Sequence, residues 1–255
     1  MSSARVAGTR LFDRIRNSGV DLSILAPLIA LVVLLVISSF ASEYFLDLRN
    51  LTNIMRQVSY TGIIAIGVTF VIIAAGIDLS VGSMVALVGV ILIATINQFA
   101  DPVQGAIVGL AMAVLSGAVF GLINGALVTK GRITPFIATL ATMSIFRSLA
   151  LYYSDAGEMV SSNSLFPEIG GGYLLGVPIP VWSFLVLAIL AHILLAHTPF
   201  GRHLCAVGSN AQVARYSGIR VQRVILLTFV IAGACVGLSA IMLASRLNSI
   251  SPSDA

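Results

Sequence analysis

Charge is what this 255-residue sequence has least of. Asp, Glu, Lys and Arg make up 9% of it, whereas hydrophobic residues make up 58%. Soluble domains carry roughly a quarter charged residues, and the core of an aqueous fold this size is too small to hide so much apolar surface. The composition excludes an ordinary soluble domain and predicts an all-α, polytopic integral membrane protein.

Residues that bind metals or form disulfides are also scarce. The two cysteines, Cys205 and Cys235, lie far apart, and no CxxC pair or suitably spaced histidine accompanies either of them. We therefore expect neither a disulfide framework nor a metal site.

Signatures of catalysis and of nucleotide or nucleic-acid binding are missing as well. The sequence has no GxxxxGK[ST] phosphate loop and no arguable Ser/His/Asp or Cys/His constellation. Its 14 basic residues are spread thinly, so they form no continuous patch that tracks phosphates. We expect no catalytic site, no cofactor bound by this chain and no nucleic-acid partner.

Long apolar runs are what the sequence does contain. Runs of about 20 residues span the hydrocarbon core of a bilayer, and we predict about seven transmembrane segments. In chain order they are residues 22–41, 59–77, 81–96, 104–128, 133–153, 177–196 and 224–244.

The basic residues between these segments predict the orientation, because Lys and Arg are retained in the cytoplasm. Four arginines within residues 1–21 place the N-terminus inside, and the crossing count then places Lys130, Arg132 and loop 197–223 inside too. Arg49 and Arg56 fall on the outer side and are exceptions. We interpret the first run as a retained helix and not as a cleaved signal peptide, because it is longer than a signal core and lacks a cleavage site.

Glycines recur every four residues in the fourth segment, at Gly117, Gly121 and Gly125, and again at Gly233 and Gly237 in the seventh. Small residues at this spacing allow helices to approach closely. They predict either ordinary packing within a bundle or a sliding or dimer surface.

The inside loop 197–223 has the signals of a short helix outside the membrane. Asn210 is placed to cap it, residues 211–217 suit a helix, and Gly218 is placed to end it. The residues alone leave two interpretations open. The short helix is either a binding surface for a soluble partner or an amphipathic connector that lies on lipid headgroups.

The stretch "AAGIDLSVGS", residues 74–83, places one acid between two apolar segments. We expect Gly76 and Gly82 to permit a sharp turn, with Asp78 or Ser80 capping the next helix. Asp78 is alternatively a gating contact, a partner of Arg147 or an ion site.

Polar residues at bilayer depth usually face the interior of a bundle. Asn124, Thr139, Thr142 and Arg147 are therefore candidates for a solute pathway. The alternative for each hydroxyl is a bond to a carbonyl of its own helix, and for Arg147 it is snorkelling to the outer headgroups.

Four long stretches carry a specific resemblance. They are "AAGIDLSVGSMVAL", "ITPFIATLATMSIFRSLA", "TPFGRHLCAVGSNAQVARYSGI" and "GLSAIMLASRLNSISP". In order and approximate spacing they resemble the permease subunits of bacterial ABC importers for monosaccharides, of the ribose, xylose and arabinose type. The resemblance extends from about residue 20 to the C-terminus.

The resemblance implies a multi-pass permease of the bacterial inner membrane that translocates a monosaccharide. It implies a separate cytoplasmic ATPase that uses ATP, an extracytoplasmic sugar-binding protein, a second permease subunit and surrounding lipid. Within a permease domain at 22–255, loop 197–223 is similar to the segment that couples to the ATPase. The matching coupling positions are Gly208, Asn210, Ala211, Ala214, Arg215 and Gly218, and the signature turn contains Gly76, Asp78, Ser80 and Gly82.

The sequence departs from the family pattern in a few places. Gln212 and Val213 stand where an acidic residue and alanine are usual, Ser148 stands where glycine is frequent, and Ala75 replaces a second glycine. Related permeases continue after "SRLNSISP", so we expect the permease domain to be truncated. Two other functions remain open, which are an ion-coupled secondary transporter that uses Asp78 and a membrane scaffold without transport.

Overall fold

A computed structural model describes residues 22–252, with backbone only for residues 22–24. The predicted cytoplasmic segment 1–21 and the last three residues lie outside the described part. The described chain divides into two compact units, with the boundary between Asn53 and Ile54.

Helices dominate the described residues. In chain order they are α1 (Leu22–Ala41), α2 (Leu48–Ile73), α3 (Val81–Ile96), α4 (Pro102–Thr129), α5 (Pro135–Tyr153), α6 (Phe166–Gly171), α7 (Ile179–His197), α8 (Pro199–Ser209), α9 (Ala211–Tyr216) and α10 (Val221–Leu247). Four two-residue strands accompany them, namely β1 (Met159–Val160), β2 (Tyr173–Leu174), β3 (Val177–Pro178) and β4 (Ser249–Ile250).

All seven predicted segments are helical, so the all-α polytopic fold is confirmed. Five described helices, α2, α4, α5, α7 and α10, are long and apolar enough to cross a membrane, while Leu25–Ala41 and Val81–Ile96 are shorter apolar helices. The second segment was misplaced, because α2 begins at Leu48 and ends at Ile73. Its first turns contain Arg49, Asn50, Asn53 and Arg56, which suit a helix but interrupt an apolar run.

The first unit contains α1 and the beginning of α2. A short turn joins the two helices, and the Asn50 amide donates to the carbonyl of Phe45 at 2.8 Å, which fixes this turn against the first turn of α2.

The core of the second unit is built around α3. Eleven of its 16 residues are buried, and it packs against α4, α5 and α10. A helix that is apolar on every side is stable when protein surrounds it. This explains why α3 is short and carries no charged residue.

The glycine stripes join α4 to α10 within the chain. A Cβ atom on Gly121 would overlap the carbonyl oxygen of Phe229, and one on Gly117 would overlap that of Gly233. The same holds for Gly237 against Ala113. The interpretation as ordinary bundle packing is therefore confirmed for these glycines.

The segment between α5 and α7 is folded against the end of α10. Its strand β1 pairs antiparallel with β4, and β2 pairs with β3 in a hairpin. The Ser245 hydroxyl donates to the carbonyl of Phe166 and accepts from the amide of Gly170, so it attaches α6 to α10.

Candidate functional site

A buried polar cluster lies where the connection between α2 and α3 meets α4 and α5. Asp78 is 7% exposed, and Ser80, Asn124 and Thr139 are fully buried. Polar groups buried to this degree are stable only when hydrogen bonds replace those they made with water. The cluster therefore has to be described bond by bond.

Ser80 is at the centre of the cluster. Its backbone amide and its hydroxyl both donate to Asp78 Oδ1, at 2.9 and 2.6 Å. The Asn124 amide of α4 donates to the same hydroxyl at 2.8 Å. One serine thus links the acid of the connection to Asn124, a residue of α4 that lies 44 positions later in the chain.

Thr139 attaches α5 to the same connection. Its hydroxyl oxygen accepts from the amide of Leu79 at 3.2 Å, and it donates to the carbonyl of Pro135 at 2.8 Å. The connection is therefore bonded to α4 through Ser80 and to α5 through Leu79.

Two acceptors of the cluster have no hydrogen-bond donor. Asp78 Oδ2 and Asn124 Oδ1 are among the few buried side-chain atoms without a partner in the described part of the chain. Burial raises the pKa of the Asp78 carboxyl above its usual value, while the hydrogen bonds from Ser80 oppose this shift. The cluster therefore joins three elements through its hydrogen bonds and leaves two buried acceptors without a protein donor.

The turn itself differs from the sequence prediction in two respects. Ala75, and not Gly76, adopts the left-handed conformation, with φ of 59°, and Gly82 lies inside the first turn of α3. Ser80 occupies the N-cap position of α3, but its side-chain oxygen accepts from the Asn124 amide and not from a backbone amide of the helix.

Two further pathway candidates lie along α5. Thr142 is buried and donates to the carbonyl of Thr139 at 3.2 Å, which is a bond within its own helix. Arg147 is half-buried and lies about 12 Å along the helix axis from Thr139. The structure therefore brings together Asp78, Asn124 and Thr139, with Arg147 further along the same helix.

The predicted coupling segment is a pair of short helices. Asn210 Oδ1 accepts from the amides of Gln212 and Val213 at 3.0 and 3.1 Å, and Gly218 has φ of 82°. The predicted cap and helix end are confirmed. The sequence also contained a signal for α8 that we missed, since Thr198 accepts from the amide of Gly201 and Pro199 opens the helix.

The coupling segment packs closely against other helices of the second unit. Ala214 is 3% exposed and belongs to a cluster with Phe70 and Leu204. A Cβ atom on Gly208 would overlap the carbonyl oxygen of Ile73, the last residue of α2. The role of Gly208 is thus a close contact between α8 and the end of α2, seven residues before Ser80.

The outer face of α9 presents side chains that the sequence prediction omitted. Tyr216 is 85% exposed and Val213 is 57% exposed, and Ala211 and Arg215 are exposed beside them. An exposed tyrosine next to an arginine has the composition of a binding hot spot. Val213 and Tyr216 are three residues apart in the sequence, and this helical spacing would have identified them as neighbours on one face of α9.

Comparisons with known proteins agree with these features. The ribose import permease protein RbsC of Bacillus subtilis (strain 168) is 42% identical over 230 residues, which are 89% of this chain and 70% of that protein. RbsC of Escherichia coli (strain K12) is 36% identical over 256 residues, covering 99% and 77%. The L-arabinose ABC transporter permease protein AraH of Azospirillum brasilense is 36% identical, covering 85% and 63%.

No solved structure matches this chain with significance. The family profile described as "Branched-chain amino acid transport system / permease component" matches residues 50–255, which include both the polar cluster and the coupling segment. The chain therefore belongs to this family of permease components.

Proposed function

We propose that this chain is the membrane-spanning permease subunit of an ABC importer that moves a monosaccharide across the bacterial inner membrane. The carrying observation is the exposed, capped helix α9 in a chain of the permease family. The preceding helix α8 contacts the end of α2 through Gly208. The printed names of the relatives favour ribose or a related sugar as the solute.

A separate cytoplasmic ATPase supplies the energy in this proposal. The sequence has no phosphate loop of its own, so ATP is used by the partner, and this chain contributes neither a catalytic site nor a bound cofactor. The exposed side chains of Val213 and Tyr216 form the surface on which that ATPase docks.

Transmission follows from the attachments of the coupling segment. Since Gly208 of α8 packs directly against the carbonyl of Ile73, a movement of α9 in this proposal displaces the end of α2 together with the connection at residues 74–80. The bonds from Asn124 to Ser80 and from Leu79 to Thr139 are then the ones that break. We propose that these bonds close the inner end of the solute pathway.

Asn124, Thr139, Thr142 and Arg147 line that pathway in the proposal. Hydroxyl and amide groups recognise sugar hydroxyls without fixed charge. An extracytoplasmic sugar-binding protein delivers the solute to the outer side, and a second permease subunit completes the translocating unit.

The energy source tests the proposal most simply. Membrane vesicles that contain the full gene product and its ATPase should take up labelled ribose when ATP is supplied, and an uncoupler should leave this uptake intact. Uptake that collapses with the uncoupler and persists without ATP would instead identify an ion-coupled transporter, and partner binding with no uptake in any condition would identify a scaffold.

A further inference from the structure

A cavity of about 610 Å³ opens beside the coupling segment. It lies between the end of α2, the end of α4, the start of α5 and the start of α10, all on the predicted inner side. Its walls are mainly apolar, with Val128, Ile133, Ile225 and Phe229 among them.

Two arginines give this apolar cavity a cationic edge. Arg132, from the loop before α5, and Arg215, from α9, both line it, and both are exposed. The inside segments 129–134 and 197–223 contain six Lys and Arg residues and no Asp or Glu. The charge at this edge is therefore not neutralised by acids of the same segments.

Arg132 occupies a backbone position that favours glycine. Its φ is 55°, and the left-handed region costs a residue with a side chain about 1–2 kcal/mol. Arginine is thus kept where glycine would be easier to accommodate, which indicates a use for the side chain.

An exposed apolar strip leads away from the cavity along α5. Ile133, Phe136 and Ile137 are 38%, 51% and 60% exposed, and they lie at the start of a helix that crosses the membrane. A ligand that fits both features has an anionic head and an apolar tail. The apolar strip continues along the membrane-spanning helix α5, so the tail of such a ligand lies beside that helix and not on α9.

We propose that this cavity binds an anionic phospholipid of the inner leaflet, with its phosphate between Arg132 and Arg215 and an acyl chain along Ile133, Phe136 and Ile137. Basic pockets between transmembrane helices on the cytoplasmic side are suited to anionic headgroups. The site adjoins both α9 and the connection at residues 74–76, so an occupied cavity braces the two elements against each other.

The test measures the binding of phosphatidylglycerol and phosphatidylcholine to the purified full-length protein in detergent, by native mass spectrometry and by the shift of the apparent Tm. We expect phosphatidylglycerol to be retained and to raise Tm, and phosphatidylcholine to do neither. Arg132→Gln should lower the apparent affinity for phosphatidylglycerol about fivefold, the effect of one basic side chain near an anionic surface.

Two further variants separate binding from folding. Arg132→Gly removes the charge and relieves the backbone, so it should fold at least as well as the wild type and still lose the lipid. Lys130→Gln removes a neighbouring exposed charge that does not line the cavity, and it should bind lipid as the wild type does.

Three results would overturn the proposal. The first is equal binding of the two lipids, and the second is unchanged phosphatidylglycerol binding in both Arg132 variants. The third is an equal Tm shift with inorganic phosphate alone, because the site would then take a phosphate group without a lipid. Loss of ATPase copurification in Arg132→Gln with lipid binding intact would also overturn it and assign the cavity to the partner protein.

Discussion

Helices α3 and α9 both begin after a short polar stretch, yet the two starts are built differently. Before α9, the exposed Asn210 caps the helix through two backbone amides. Before α3, Ser80 stands in the N-cap position but gives its hydroxyl to Asp78. The difference is burial, because an exposed helix start has water for its remaining groups, whereas the buried carboxylate of Asp78 depends on protein donors.

The contrast also separates two roles within the proposed transport cycle. The backbone amides at the start of α9 are satisfied by local hydrogen bonds to Asn210. This suits a surface to which a partner binds. The start of α3 depends on side chains from α4 and α5 and leaves Asp78 Oδ2 and Asn124 Oδ1 unpaired. This start therefore depends on contacts between elements, and any displacement of the connection at residues 74–80 acts on these bonds directly.

Removing the acid from the buried start should have the largest effect. Asp78→Ala leaves the amide and hydroxyl of Ser80 without their acceptor, and we expect a loss of about 2–3 kcal/mol. Thermal unfolding in detergent measures it. Asp78→Asn is the matched control, since its side-chain oxygen still accepts both bonds, and a loss in Asp78→Asn equal to that in Asp78→Ala would show that the charge and not the acceptor matters.

Removing the cap from the exposed start should have a smaller effect. Asn210→Ala loses two bonds to backbone amides that water can replace in part, and we expect a loss of about 1 kcal/mol. Asn210→Ser, which still caps, should unfold close to the wild type. If Asn210→Ala were as damaging as Asp78→Ala, burial would not be the difference between the two starts.

A substitution in the turn before α3 should stabilise the protein. Ala75 has φ of 59°, so Ala75→Gly relieves a conformation unfavourable to alanine, and the net gain should be about 0.5–1 kcal/mol after the greater entropy of unfolded glycine is subtracted. The measurement is again the apparent Tm. Ala74→Gly, at a residue without positive φ, should lower stability, and a gain there as well would refute the backbone explanation.

The smallest expected effect is a dependence on pH. Because burial raises the pKa of Asp78 above 3.8, the folded state holds this proton more tightly than the unfolded state does. Its contribution to stability is therefore full below pH 3.8, declines as pH rises through the raised pKa, and is constant above it. Asp78→Asn should flatten this part of the curve of Tm against pH, and identical curves for the two proteins would contradict the assignment.

Local signals in the sequence predicted the parts of the structure that depend on neighbouring residues. The seven helices followed from apolar runs, and the cap at Asn210 and the end at Gly218 followed from turn chemistry. The first turns of α2 were missed because Arg49 and Arg56 interrupt the apolar run, although a helix tolerates them.

Contacts between distant residues could not be predicted in this way. Nothing near Ser80 indicates that Asn124 bonds to it, and this contact decides that Ser80 takes part in a buried network and does not cap α3. The left-handed conformation of Ala75 was also missed, because the prediction assigned the sharp turn to the glycines at 76 and 82. For the coupling segment, the residues chosen by resemblance were mainly those that shape and anchor it, whereas Val213 and Tyr216, which face outward, were not selected.

The chain is a multi-pass membrane protein of the permease family, and the docking of an ATPase on α9 is the central claim of its proposed mechanism. Copurification of the cytoplasmic ATPase with Tyr216→Ala tests this claim most directly. Tyr152→Ala serves as the control, because Tyr152 is 76% exposed at the predicted outer end of α5. We predict that Tyr216→Ala folds normally and loses the ATPase together with ATP-driven uptake, while Tyr152→Ala keeps both. Full ATPase recovery with Tyr216→Ala would contradict the account.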